Sequence, residues 1–363
     1  MSLLQTLRQY GQSVWLDGLE RNWMLTNQLQ RSIDKGLRGV TSNFTSLEQA
    51  IRAGSYARDF QAIQRQSSGD AQWLYEYLTI QDIQLAADRM KPIHTQTHAS
   101  DGFVNLDLPP QIGHDPQKIL TIARRLWQTV GWSNLMLRMP ATTATVSVVE
   151  QLIREGININ VTALFSQTLY EQVAEAYLKG LEALVLQGQE VSTIASVASV
   201  SINRLDNAVV ALMNTPENKT NTPPDAPPLG IALAKVLYQQ YQTIYHSDRW
   251  QTLAHLGAQP QRLLWDITSL ERDRTQAQHY IESLAGAGTV LALAPLILQA
   301  YGQYRPLQKS LIGNVDAAYQ TLENLERMIS LEAIADHLLA EEVERSQAAY
   351  QHLLNTIAQK QSL

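Results

Sequence analysis

The chain has 363 residues, 45% hydrophobic and 17% charged, so it can bury a sizeable core and global disorder is not expected. Its formal net charge of −6 argues against nucleic acid or an anionic membrane as partner, since both want a basic face. It contains no cysteine, which excludes disulfides, thiolate catalysis and Cys-ligated metals.

Residues 1–10 read as an amphipathic helix and not as a signal peptide, and no apolar run is long enough to span a bilayer. A cytoplasmic protein without membrane contact is the expectation. Residues 13–17 form the first short strand, a helix follows over 26–35, and Gly36 stops it. Residues 37–43 are the second strand, ending in a polar tip. Helical patterns fill 46–53, 56–66 and 71–90, the last ending before Pro92. Residues 103–108 alternate and stop at Pro109, as a strand does. A helix over 115–130 starts at Asp115-Pro116.

Residues 135–139 are the fourth strand, followed by a helix over 146–155 that Gly156 closes. The fifth strand spans 157–164. A helix over 166–187 follows, with a short break expected around Gly180. The sixth strand spans 194–201. Residues 214–230, rich in proline, asparagine and threonine, are expected to be a mobile surface loop inside a single domain covering 1–363. A helix over 229–245, strands over 262–268 and 289–293, and helices over 315–327 and 331–359 complete the chain. Strands alternating with helices imply a parallel sheet, and eight of them predict a closed (β/α)8 barrel with additional helices. The rival, an open doubly wound sheet, lacks a GxGxxG after its first strand.

One side chain stands out. Arg138 lies in the apolar run Leu135-Met-Leu-Arg-Met139, with Pro140 directly after it. A cation there must meet a partner, a ligand or water, because an unpaired buried charge is costly. The C-terminal end of a barrel strand is also where such barrels place their chemistry.

The strand ends carry a family resemblance. Val14-Trp-Leu-Asp17, Gly36-Leu-Arg-Gly-Val-Thr-Ser-Asn43, Asn134-Leu-Met-Leu-Arg-Met-Pro-Ala-Thr142, Gly156-Ile-Asn-Ile-Asn-Val-Thr-Ala-Leu-Phe-Ser166 and Ser196-Val-Ala-Ser-Val-Ser-Ile-Asn-Arg-Leu-Asp206 together resemble transaldolase in its longer bacterial form. The resemblance covers nearly the whole chain. It implies a class I aldolase-type barrel of the pentose phosphate pathway that moves a dihydroxyacetone unit between sugar phosphates and needs no cofactor. It also implies a Schiff-base lysine on the fourth strand, and this chain has Arg138 there. A guanidinium stays protonated and its lone pairs are delocalised, so it offers no free amine.

Other positions follow the family residue by residue. The resemblance makes Asp17 the general base, Thr41 and Asn43 the polar tip of the second strand, and Asn160 a substrate-contacting amide. Ser199 and Arg204 match the phosphate-holding serine and arginine. Asp107 stands for a glutamate that works with a water, one methylene shorter. Phe44, Ser201, Glu271, Leu291 and Ala292 depart from the family's proline, aromatic, lysine, asparagine and threonine. Leu291 and Ala292 are expected to dry one wall of the pocket, and Glu271, if it faces the pocket, to weaken phosphate binding.

The residues leave several readings open. The first is a transaldolase homologue without Schiff-base chemistry, a pseudoenzyme with a sugar or sugar-phosphate pocket and a binding, regulatory or structural role, alone or with a protein partner in carbon metabolism. The second is an enzyme using Asp17, Asp107 and Arg138 as acid, base and electrostatic clamp. The third is ordinary dihydroxyacetone transfer through another lysine. Plainer roles compete: Asp17 as a carboxylate paired with Arg138, Arg204 as an ion-pair partner, and Thr41, Asn43 and Asn160 as loop caps. His94 and His98 are four apart but lack a nearby third ligand, so no metal site is expected.

Overall fold

Alternation within each strand decides what the barrel contains, because successive side chains on a strand point to opposite faces. The computed structural model describes residues 3–64, 69–213, 228–270, 273–300 and 310–361. Eight parallel strands close in sequence order: β1 (Ser13–Asp17), β2 (Gly39–Thr41), β3 (Phe103–Asp107), β4 (Leu135–Pro140), β5 (Ile159–Leu164), β6 (Ser196–Ser201), β7 (Arg262–Asp266) and β8 (Val290–Leu293). The (β/α)8 barrel with surrounding helices is therefore the observed fold. Val14, Leu16, Leu137 and Leu291 point outward and join the large core under the helices. Trp15, Phe103, Met136, Val197, Leu264, Val290 and Ala292 form a separate apolar cluster inside the barrel.

That inner cluster explains one glycine. Gly39 pairs with Trp15, and a Cβ at Gly39 would lie 2.6 Å from the Trp15 indole. The ring fills the volume that a side chain on β2 would occupy, and both are walled in by neighbouring strands. Gly39→Ala is therefore expected to lower stability by about 1–3 kcal/mol through overpacking. Denaturant unfolding would show it as a lower midpoint with an unchanged slope.

Two helical expectations are corrected. The helix expected to stop before Pro92 runs from Ala71 to Gln96 with Pro92 inside it. Burial of His94 rewards the added residues, and its ring stands edge-on to Phe103 at 5.2 Å. The expected break at Gly180 is absent: the helix is continuous over Gln167–Leu186, and a Cβ at Gly180 would come within 2.6 Å of Ile153. That glycine allows a close helix contact and does not end the helix. The helix expected over 26–35 is present as Gln28–Lys35, and a further short helix not expected from the sequence, Arg21–Leu25, precedes it, with Asn27 in the left-handed region at φ 60°.

The C-terminal helix, Leu331–Gln361, lies across the C-terminal mouth of the barrel. It is anchored by Tyr350, Leu353 and Ile357, which pack with Phe44 and Tyr75 in a second core. Phe44 meets the Tyr350 ring at 5.2 Å. Phe44, at a position where the resemblance expects proline, thus helps to hold the helix over the barrel mouth. Of the proline- and asparagine-rich segment, residues 214–227 lie outside the described residues.

Candidate functional site

The barrel register brings the charged residues together before any side chain is considered. Asp17 pairs with Thr41 across β1 and β2, and Asp107 with Arg138 across β3 and β4. All four are at inward positions near the C-terminal ends of their strands, where the open mouth lets polar groups be partly wet.

Arg138 sits between two carboxylates. Its Nη1 lies 3.4 Å from Asp107 Oδ1, 3.8 Å from Asp17 Oδ1 and 3.4 Å from the Ser42 carbonyl oxygen. Thr41 Oγ1 donates to Asp17 Oδ1, and Asn43 Nδ2 donates to Asp17 Oδ2 at 2.9 Å. Ser42 Oγ donates to Asp107 Oδ2 at 2.8 Å and accepts from the Asp107 backbone N–H at 3.0 Å. The polar tip of β2 therefore orients both acids. Asn43 also caps the helix Phe44–Arg52 by accepting from the Ser46 N–H, so one side chain serves as helix cap and as donor to Asp17.

One inward position below lies a buried polar layer. Asn160 Nδ2 donates to Asn105 Oδ1 at 3.0 Å, and Ser199 Oγ donates to Asn160 Oδ1 at 2.6 Å. Asn105 Nδ2 in turn donates to the Val40 carbonyl at 3.1 Å. Asn160 and Ser199 are thus linked to each other beneath Arg138. Asn105 was not singled out from the sequence, although an asparagine within the strand pattern Phe-Val-Asn-Leu-Asp was a signal.

Electrostatics set the protonation of the cluster. Burial raises Asp17 from its ordinary 3.8 to about 6; the Arg138 guanidinium opposes this, and the nearby Asp266 adds to it. Burial also raises Asp107, again against the pull of Arg138. For Arg138, burial lowers the pKa, but the carboxylates of Asp107 and Asp17 outweigh it and leave it above its ordinary value. Arg138 is thus a permanent cation, whereas Asp17 exchanges its proton close to neutrality.

The sign of the pH effect follows. A carboxylate whose folded pKa exceeds its unfolded one stabilises the fold fully below about pH 4, and that contribution is lost as pH rises through about 6. Asp82, buried against Arg21 and Tyr56, is also raised to about 6 and acts in the same window. Asp17→Asn is expected to remove the Asp17 share, on the order of 2 kcal/mol, from the fall in stability between these pH values. Urea titrations at several pH values would measure it.

Two adjoining cavities open at the mouth. The larger, about 370 Å³, is lined by Asp17, Asn43, Ser201, Arg204, Asp266 and Arg345 among others. The smaller, about 130 Å³, reaches Asp107, Arg138 and Glu342 and shares Asp17, Asn43 and Asp266. Among the described residues no lysine lines either cavity. Lys35, Lys91, Lys118, Lys179, Lys235 and Lys360 all lie on helices. Lys219 and Lys309 fall outside the described residues, as does Glu271.

Arg204, expected to hold phosphate, lines the larger cavity but is ion-paired with Glu342 and, at 3.2 Å, with Glu341 of the C-terminal helix. The expectation that Leu291 and Ala292 together dry the pocket wall is corrected. Leu291 points out into the helical core and only Ala292 faces inward, because adjacent strand residues cannot share a face. Asp266, Glu342 and Arg345 were not anticipated. Asp266, at the end of β7, accepts from Thr268 N at 3.0 Å and Thr268 Oγ1 at 2.7 Å. His94 is buried against Phe103, and among the described residues no group of three or more His, Cys, Asp or Glu could hold a metal ion.

The family profile described as Transaldolase/Fructose-6-phosphate aldolase matches residues 14–357. The chain belongs to the transaldolase family. "Transaldolase 2" of Nostoc punctiforme is 35% identical to it over 98% of this chain and 97% of its own length. "Transaldolase" of Trichodesmium erythraeum is 33% identical over 98% and 97%, respectively, and "Transaldolase" of Thiobacillus denitrificans 32% over 98% and 100%. The transaldolase likeness therefore extends over the whole barrel and its C-terminal helix. No helix among the described residues is long and apolar enough to cross a membrane.

Proposed function

We propose that this transaldolase-family chain binds a sugar or sugar phosphate at the mouth of its barrel without forming an imine, and serves a binding or regulatory role in carbohydrate metabolism. One observation carries the reading: the inward position on β4 holds Arg138, clamped by Asp107 and Asp17, and no described lysine lines the adjoining cavities. Imine formation needs a neutral amine, which a guanidinium cannot supply. Hydroxyl groups of a polyol suit what remains, since Asp17 and Asp266 accept while Asn43, Ser201 and Asn203 donate.

Asp17 favours a second reading, in which the pocket performs non-covalent acid–base chemistry. Its pKa of about 6 suits proton exchange near neutrality, and Asp107 lies across Arg138 as a partner acid. Calorimetric titration with fructose 6-phosphate, followed by product analysis with an aldose phosphate acceptor present, separates the two. Saturable binding without turnover is the expected result. Turnover abolished by Asp17→Asn would favour the second reading, and absence of binding would refute both.

A further inference from the structure

The wall of the larger cavity carries two guanidiniums, Arg204 and Arg345, with the neutral donors Ser201, Asn203 and Ser269 nearby. Guanidiniums converging with hydroxyl and amide donors match the oxygens of a phosphate or carboxylate. In this chain the pair of cations already holds an anion. The Glu342 carboxylate, from the C-terminal helix, accepts from Arg204 Nη1 and from Arg345 Nη2, the latter at 2.6 Å to both oxygens. Glu341 accepts from Arg204 Nη2 at 3.2 Å. The Glu342 and Arg204 side chains are only 20% and 18% exposed, so this contact is shielded from water, unlike a surface ion pair.

We propose that Glu342 is an internal occupant of an oxyanion subsite, so that a phosphate-bearing ligand enters only by displacing this carboxylate from Arg204 and Arg345. The inference rests on the cavity being the ligand site described under Proposed function. The C-terminal helix is anchored by Tyr350, Leu353 and Ile357, so displacement is a rotation of one side chain toward solvent, with the helix itself held in place. A neutral sugar reaches Asp17 and Asn43 without disturbing the bridge, whereas a phosphate must compete with it. Glu342 thereby sets the preference of the cavity between phosphorylated and unphosphorylated sugars.

Calorimetric titration at constant ionic strength with inorganic phosphate, fructose 6-phosphate and fructose tests this on the full chain, Glu342→Gln and Glu344→Gln. Glu344 is exposed on the same helix and removes the same charge away from the cavity. Glu342→Gln is expected to tighten inorganic phosphate binding by about tenfold, with Glu344→Gln unchanged and fructose affinity the same within about twofold. Adding Arg204→Ala to Glu342→Gln should abolish the gain. If Glu342→Gln fails to fold, Glu342→Asp, which keeps the charge but shortens its reach, should show a smaller gain in the same direction. Equal phosphate affinity in the full chain, the Glu342 variant that folds and Glu344→Gln would overturn the proposal. A phosphate gain in Glu342→Gln with no sugar bound by any variant would leave the internal anion standing and refute the sugar-binding reading.

Discussion

Replacing Arg138 by methionine is expected to cost about 3 kcal/mol of stability at pH 8, and clearly less at pH 5. The side chains of Arg138, Asp17 and Asp107 are 20%, 11% and 16% exposed, so the three charges are largely out of water. Removing the one cation leaves two acids facing each other, with Asp266 close by. Breaking a buried pair from one side is costly because the charge left behind has lost its compensation. The acids can escape the cost by taking up protons. Their folded pKa values, already raised, would rise further, so the penalty is small below about pH 4, where both states hold the proton, and grows as pH climbs. Urea unfolding at both pH values measures it. A loss independent of pH would point to lost packing of the arginine stem instead of lost charge.

The second large effect concerns chemistry. Arg138→Lys places a primary amine at the inward β4 position while keeping the cation that the two acids need. Borohydride reduction in the presence of fructose 6-phosphate is expected to trap a covalent adduct on the substituted side chain. The yield should rise between about pH 7 and 9, because neighbouring carboxylates hold an ammonium in its protonated, non-nucleophilic form. Full transfer activity is a separate matter: it would also need an acid such as Asp107, where the resemblance expects a glutamate one methylene longer, to support proton transfer. An adduct without turnover would assign the remaining defect to the acids and not to the amine. No adduct at any pH would mean that the sugar does not reach β4.

Much of the fold could be read from the chain. Every strand was placed within about two residues at its ends, because apolar or alternating runs bounded by glycine, proline and helix starts mark parallel barrel strands well. Arg138 was visible as a lone cation in such a run, and its proximity to Asp107 followed from consecutive strands pairing in register. What escaped notice depends on contacts distant in sequence. Glu342 lies 138 residues from Arg204, on a helix whose charged pattern resembles any solvated face, so nothing local told that one carboxylate points into the barrel mouth. Leu291 was misassigned for a simpler reason: strand parity, counted along β8 from its inward neighbours Val290 and Ala292, would have placed it outside. Pro92 signals a helix stop and Gly180 a short break, and tertiary packing overrides both.

The same geometry gives the cation at β4 a structural role. Arg138 neutralises acids that the strand ends and the β2 tip orient around it through Thr41, Ser42 and Asn43. The family resemblance expects at this position an amine that must lose its proton to react, whereas here the cation is permanent and the acids do the titrating. Under the proposed function, this site recognises its ligand by hydrogen bonds and without a covalent imine.

Borohydride trapping on the unaltered chain tests that claim most directly. The protein is incubated with fructose 6-phosphate, reduced, digested and mapped by mass spectrometry across all its lysines. The account predicts no sugar adduct on any lysine, with Arg138→Lys treated in parallel giving one. A stoichiometric adduct on any native lysine would contradict it and restore imine chemistry to this barrel.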